Sequence, residues 1–258
     1  MKKFLFLAFT FIYGQIYAQD IQFEYEYTKS LDSINSKTQH YILEYHKNYH
    51  YFYGKDTYAL DSLSKVNDTR IVITHNMKIP VSKKKQKRDI LKNFLYEDGK
   101  DYFMISNFTV LKIKYEDKIN LDWKLEENTI EYLGYICNQA TTEYAGRRYI
   151  AWYTKKIPIS AGPYVFRGLP GLIVKISDTE NKHVFRLTEI KKTLNNFSTE
   201  GYKLIAKEKA KELQTNIEND PIQMLLPDFQ PTPETKKRLD ELKKRNFKKD
   251  TNPIELID

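Results

Sequence analysis

The sequence predicts an α+β fold that is mainly antiparallel β: a curved sheet or open half-barrel with C-terminal helices packed on it. Three observations lead to this prediction. Apolar and polar side chains alternate through much of residues 21–190, as they do on half-buried strands. Short turn signals separate these runs, which favours antiparallel neighbours over parallel βαβ units. After Asn195 the apolar spacing changes to that of an amphipathic helix.

The strand signals begin at Phe23, Tyr25 and Tyr27, whose neighbours are polar. An Asp98-Gly99 pair stands between two later strand-like runs and predicts a tight hairpin, because both residues tolerate positive φ. Further alternating runs occur at residues 41–45, 49–53, 111–115 and 172–176, with additional turns expected at residues 145–146 and 180–181.

The helical signal is a stripe of four apolar residues near the C-terminus. Ala206, Ala210, Leu213 and Ile217 lie at helical spacing and predict a helix around residues 204–218. We therefore divide the chain into a leader at residues 1–18, an antiparallel β domain at 19–220 and a tail at 221–258.

The tail at residues 221–258 combines a proline-rich connector, a basic helix and a short end segment. Pro233 follows Thr232 and suits the first position of a helix that continues to about Arg245. Because this helix has few apolar positions, we expect it to lie exposed. The connector contains Pro221, Pro227 and Pro231.

Residues 1–18 have the pattern of a cleavable signal peptide. Lys2 and Lys3 precede an apolar run, and Ala18 supplies the small residue before a cleavage site. The run of about ten residues is shorter than the roughly 20 needed to cross a bilayer. We expect an exported protein, periplasmic or secreted and soluble after cleavage, with no transmembrane segment in the mature chain.

Composition excludes some classes of protein. The formal charge is +8, and removing Lys2 and Lys3 with the leader leaves 8 − 2 = +6, interleaved with acids. No nucleic-acid recognition motif accompanies this charge, so we expect no nucleic-acid partner. The single cysteine, Cys137, cannot form an intrachain disulfide, and we interpret it as a small buried side chain.

The stretch from Pro158 to Gly171 concentrates three prolines and three glycines. One interpretation is a conformational corner that precedes a buried strand. The other is a ligand groove lined by aromatic side chains beside a backbone that the glycines make approachable. The candidate ligand-binding residues are Trp152, Tyr153, Tyr164, Phe166, Gly168, Gly171 and Arg147.

This stretch also carries a family resemblance. Residues 168–173 spell Gly-Leu-Pro-Gly-Leu-Ile, the hexapeptide that names the GLPGLI family of exported proteins of Gram-negative envelopes. The resemblance implies a secreted or periplasmic protein and assigns no activity to it. One departure is Tyr144-Ala145, where the family more often has Phe-Arg. Further blocks that resemble the family are residues 134–142, 146–148, 151–154, 157–163 and 252–256.

Catalytic and metal-binding patterns are weak. His46 and His50 lie four residues apart on an alternating segment, about 13 Å if extended, which is too far for one ion. No nucleophile elbow or Cys-His signature is present. We therefore expect no metal, no cofactor and no enzymatic activity.

The sequence favours a non-enzymatic binding protein of the cell envelope. Its tyrosine and phenylalanine content suggests an apolar or acylated ligand, so the expected partners are a lipid, an acylated molecule or an envelope protein. In element order the chain also resembles the periplasmic lipoprotein-carrier fold, a likeness of fold that does not imply function. The alternative is a protein–protein interaction module serving an outer-membrane transport or assembly system.

Overall fold

The structure, a computed structural model, describes residues 20–32, 34–56, 90–107, 111–192 and 198–219, together with 232, 233, 237, 254 and 255. The predicted signal peptide, the proline connector and most of the predicted basic helix lie outside these residues. The division of the chain into three parts therefore stays a prediction.

More than half of the described residues lie in strands, and one helix follows the last strand. The bounds are β1 Ile21–Ser30, β2 Ser36–Tyr45, β3 Tyr49–Gly54, β4 Asn93–Glu97, β5 Lys100–Asn107, β6 Leu111–Glu116, β7 Lys124–Tyr132, β8 Tyr135–Tyr144, β9 Arg147–Thr154, β10 Leu172–Asp178, β11 His183–Lys192, β12 Lys203–Leu204 and α1 Lys207–Asn219.

All twelve described strands belong to one sheet, in the order β12-β6-β5-β4-β3-β2-β1-β11-β10-β9-β8-β7. The sheet consists of two meanders, β1–β6 and β7–β11, joined where β1 pairs antiparallel with β11. The short β12 runs parallel to β6, so the sheet is mixed. The link between the meanders, at residues 117–123, carries the chain from one end of the sheet to the other.

The main core covers one face of this sheet. Phe23, Tyr25 and Tyr27 are fully buried there, and the registers place Tyr41 opposite Tyr25 and Phe185 opposite Tyr27. Each buried aromatic ring contributes on the order of 1.5–3 kcal/mol relative to an exposed one. A smaller cluster occupies the other face of β2–β5; its members are Ile42, Tyr51, Tyr53, Leu95, Tyr102 and Met104.

The predicted α+β class is wrong, because the described chain is almost entirely β. The apolar stripe did mark a helix, since α1 at Lys207–Asn219 overlaps the predicted residues 204–218. It contributes one buried position of the stripe, Ala210, beside β6 and forms no helical layer on the sheet. Helical periodicity indicates that a helix is present, but it does not indicate how much of the sheet that helix covers. No helix in the described ranges is long and apolar enough to cross a membrane.

Residues 157–171 form the Gly-Pro segment, which connects β9 to β10 and packs on the core face. Its two ends are tied together, because the Leu172 amide donates to the Ile157 carbonyl at 3.0 Å. At Gly171, with φ of +155°, a Cβ atom would lie 2.2 Å from the carbonyl oxygen of Thr154. Only glycine allows the two backbones to approach this closely.

Arg167 fastens the Gly-Pro segment to the first meander. Its guanidinium contacts the Asp101 carboxylate at 2.7 Å and stacks over the Tyr96 ring at 4.3 Å. The partly buried His50 lies beside Tyr96, with 5.5 Å between ring centroids. Burial, followed by the Arg167 and His46 charges, lowers the pKa of His50 from 6.5 to about 4.

Replacing Gly171 by alanine should destabilise the fold by about 2–4 kcal/mol, because a backbone oxygen occupies the space that the new Cβ needs. The matched control is Gly134→Ala in the β7–β8 turn, where φ is +77° and no atom lies within 4 Å of the added Cβ. That change should cost only about 1 kcal/mol of backbone strain. Urea unfolding measures both, and equal losses would contradict the close approach at Gly171.

Stability should fall as the pH is lowered through the window between about 6.5 and 4. His50 is neutral in the folded protein across this window, whereas it becomes protonated in the unfolded chain near its ordinary pKa. Unfolding therefore takes up a proton, and the loss by pH 4 is at most about 3 kcal/mol. Urea midpoints at pH 7, 5 and 4 measure it. The variant His50→Phe should lack the His50 contribution to this loss. A pH dependence of stability equal to that of wild type would contradict the prediction.

Candidate functional site

Three of the predicted ligand-binding aromatics are buried in the core. Tyr153, Tyr164 and Phe166 each expose 2% or less of their surface. The Phe166 ring packs on Tyr149 at 4.7 Å between centroids, and the Tyr164 ring lies 6.1 Å from Phe103. A ligand could reach these rings only if the surrounding side chains moved away.

The other predicted residues lie in different surroundings. Trp152 is only partly buried, and strand alternation places it on the opposite face of β9 from Tyr153. Arg147 pairs with the buried Asp178 at 3.3 Å. In the Gly-Pro segment, Gly168 has φ of +98° and packs against Trp123. The seven predicted residues, which include Gly171, are close in sequence but do not line one groove. Their part in ligand binding stays a prediction.

A polar cleft of about 180 Å³ lies between the two meanders, α1 and Glu255. Four lysines line it, and we call it the lysine cleft. Two carboxylates, Asp117 and Glu255, also face it, so the formal charge of its ionisable side chains is 4 − 2 = +2. The lysines are Lys92, Lys118, Lys207 and Lys211, and the aromatic lining is Tyr115 and Tyr144.

Distant parts of the chain supply these side chains. Lys92 precedes β4, and Lys118 belongs to the link between the meanders. The amide of Ile119 donates to Asp101 Oδ2 at 3.0 Å and fixes this link beside β5. The first turn of α1 places Lys207 2.7 Å from Asp117, so helix and link are joined by an ion pair.

One wall of the cleft is a carboxylate held by three donors. Tyr144 and Tyr164 donate their hydroxyl protons to Glu255 Oε1 at 2.8 and 2.5 Å. Lys92 Nζ donates to Oε2 at 3.4 Å. We call Tyr144, Tyr164 and Lys92 the carboxylate cradle. A charged acceptor makes such hydrogen bonds stronger than bonds between neutral groups.

Electrostatics keep every donor of the carboxylate cradle protonated. Burial and then the Glu255 carboxylate raise the pKa of Tyr144 and Tyr164 above their usual range. Burial acts to lower the pKa of Lys92, but Glu255 and Tyr115 outweigh it and raise that pKa. The cradle therefore presents two hydroxyl donors and one cation at neutral pH.

The lysine cleft and the carboxylate cradle are not among the sites that the sequence predicts. Their lysines lie in segments whose pattern is typical of a solvent-exposed surface. Residues 92, 118, 144 and 207 are far apart in the sequence, and no motif links them. Two sequence features overlap with the site: Tyr144-Ala145 departs from the family pattern, and Glu255 lies in the C-terminal block at residues 252–256. Neither feature indicates that a tyrosine hydroxyl meets the glutamate.

The fold is similar to that of a longer protein of known structure. Two crystal forms of PNGF-II, in space groups P21 and C2, align over 76% of this chain at 16% and 15% identity, with TM-scores of 0.54 and 0.53. This chain spans about a third of PNGF-II, because the alignments cover 33% and 32% of that chain. At this identity the likeness concerns the fold alone.

One more solved structure, the curated proteins and one family model give three further results. A LolA superfamily protein, NE2245 from Nitrosomonas europaea, aligns over 70% of this chain and 88% of its own at 6% identity, with a TM-score of 0.29. No curated protein matches the sequence. One family model, described as a protein of unknown function (Porph_ging), matches residues 144–175, a stretch that begins at Tyr144 and includes Tyr164.

Proposed function

We propose that this chain is a non-enzymatic binding protein of the cell envelope that recognises an anionic group in the lysine cleft. The convergence of four lysines on a space with two carboxylates carries the proposal. Attraction between the excess positive charge and an anion favours binding and speeds encounter. The envelope location rests on the predicted signal peptide at residues 1–18.

The size of the cleft limits the ligand group to a small anion such as a phosphate or carboxylate. The cleft has a volume of about 180 Å³. Pockets for whole drug-sized ligands are larger, roughly 300–1,000 Å³. The aromatic strand faces, where the sequence placed an apolar or acylated ligand, pack against one another. We therefore propose that an acylated ligand would be recognised by its anionic head group.

The state of the ionisable groups favours binding over catalysis. Asp117 is paired with Lys207 at 2.7 Å, and the oxygens of Glu255 accept from the carboxylate cradle. Carboxylates engaged in this way are poor general bases, and tyrosines with raised pKa values stay protonated at neutral pH. The four lysine ammonium groups of the lysine cleft are suited to holding an anion in place.

Inorganic phosphate should bind the full chain, and the double variant Lys118→Ala/Lys211→Ala should bind it about tenfold more weakly through the loss of two cleft cations. Calorimetry at low and high salt measures both, and screening should weaken the wild-type affinity. The matched control is Lys124→Ala/Lys182→Ala, which removes two lysines outside the cleft lining and should bind like wild type. Equal affinity in the cleft variant and the control would refute the proposal.

Two detergents separate head-group recognition from tail recognition. Dodecyl phosphate should bind more tightly than dodecyl maltoside, because only the former carries an anionic head. Equal binding of the two would place recognition in the alkyl tail and would favour an apolar ligand.

A second candidate is an interaction module, favoured by the edge strand β7. This strand forms one end of the sheet, and six of its nine side chains are exposed. Leu125, Leu133 and Ile136 expose 55%, 54% and 60% of their surface on β7, in the β7–β8 turn and on β8. An exposed strand edge can accept a further strand from another chain. We propose an extended partner segment with basic residues, since Glu127 and Glu131 are exposed on β7 between Leu125 and Leu133.

A photoreactive side chain at Ile136 should give one discrete adduct with an outer-membrane protein in an envelope extract. The same group at Lys209, an exposed position of α1, should not form that adduct, because it lies outside the strand edge. Gel mobility and mass spectrometry identify the products. Identical adducts from the two positions would mean non-specific contact and would argue against the module.

A further inference from the structure

Contacts with core side chains, and not contacts with Glu255, position the donors of the carboxylate cradle. The Tyr164 ring packs against Phe103, and the Tyr144 ring packs edge-on against Phe166 at 5.7 Å. Both tyrosines belong to the second meander and its Gly-Pro segment, whereas Glu255 comes from the far end of the chain. The Lys92 ammonium lies over the Phe103 ring, 5.3 Å from its centroid, so each of the three donors has a contact that does not involve Glu255.

The geometry of the cradle is selective for a carboxylate. The two hydroxyls converge on Oε1, and the ammonium of Lys92 contacts Oε2, so both oxygens of one carboxylate are engaged. A neutral amide could offer one acceptor oxygen but no negative charge to Lys92. Removing the partner of a buried donor costs more than the hydrogen bond contributes, so the cradle favours an occupied state.

The cradle opens into the lysine cleft. Glu255 exposes 16% of its side chain there, and Lys92 and Tyr144 line the same space. Another carboxylate can therefore approach Lys92 and Tyr144 from solvent through the cleft, and it meets the buried Tyr164 hydroxyl once the Glu255 side chain has moved out. Ile254 can stay in place, buried and with its carbonyl accepting from the Tyr149 hydroxyl at 3.3 Å, because only the Glu255 side chain has to move.

We infer that the cradle is a carboxylate-recognition site that Glu255 fills from within the chain, and that an acidic peptide segment of a partner binds by taking its place. This inference rests on the proposed function, because both use the lysine cleft, and it adds the class of partner. A carboxylate tethered to the same chain competes at an effective concentration on the order of millimolar or more. The wild-type protein should therefore bind an outside carboxylate weakly.

The test uses the full chain and the blocked pentapeptide Asn-Pro-Ile-Glu-Leu, which copies residues 252–256. Glu255→Ala should bind this peptide at least about tenfold more tightly than wild type, because the internal competitor is gone. Glu255→Gln keeps an acceptor oxygen for the tyrosines and should show intermediate affinity. The matched peptide Asn-Pro-Ile-Gln-Leu should not bind measurably to either variant.

Adding Tyr144→Phe and Tyr164→Phe to Glu255→Ala should abolish peptide binding, because both hydroxyl donors are then lost. Near-UV circular dichroism checks that each variant is folded. If Glu255→Ala is not folded, the comparison of Glu255→Gln with wild type decides. Equal peptide affinity in wild type and the Glu255 variants, or equal binding of the two peptides, would overturn the inference.

Phosphate titration of the same proteins separates this inference from the proposed function. Phosphate binding that depends on Lys118 and Lys211, without peptide binding to the Glu255 variants, would overturn only the inference. Peptide binding by those variants, without phosphate binding by any protein, would overturn only the proposed recognition by the lysines.

Discussion

The packing of the Gly-Pro segment against the core face determines much of the rest of the structure. At Gly171 the backbone passes so close to Thr154 that a single Cβ would fill the gap. This crossing lets β10 pair beside β9, and it brings Tyr164 and Phe166 down onto the aromatic core. The same segment then reaches the first meander through Arg167 and Asp101. Without that path Tyr164 would not reach Glu255.

Local pattern in the sequence could predict the strands and several turns. The hairpin expected at Asp98-Gly99 is confirmed, because β4 ends just before this pair and β5 begins just after it, with positive φ at both residues. The alternation around Tyr25 also marks a strand with one face in the core. Residues adjacent in sequence determine both features, because turn conformation and side-chain alternation depend on local backbone geometry.

Features that depend on distant pairing could not be predicted in this way. The periodicity of β1 shows which side chains share a face, but it does not name β11 as its partner. The lysine cleft is even harder to predict from the sequence, because Lys92, Lys207 and Glu255 meet only after both meanders have formed. The fold class was wrong for a related reason: the spacing around Ala210 indicates a helix and gives no measure of the sheet area it covers.

The ladder between β1 and β11 has a consequence for the order of folding. Residues 21–29 pair with residues 183–192, so the centre of the sheet joins segments about 160 positions apart. Each meander consists of near neighbours and can form quickly, whereas the central ladder has to close a very long loop. While only the first meander has folded, one edge of β1 is without its partner. Until β11 pairs with it, that open edge can pair with a strand of another chain, which is a route to aggregation.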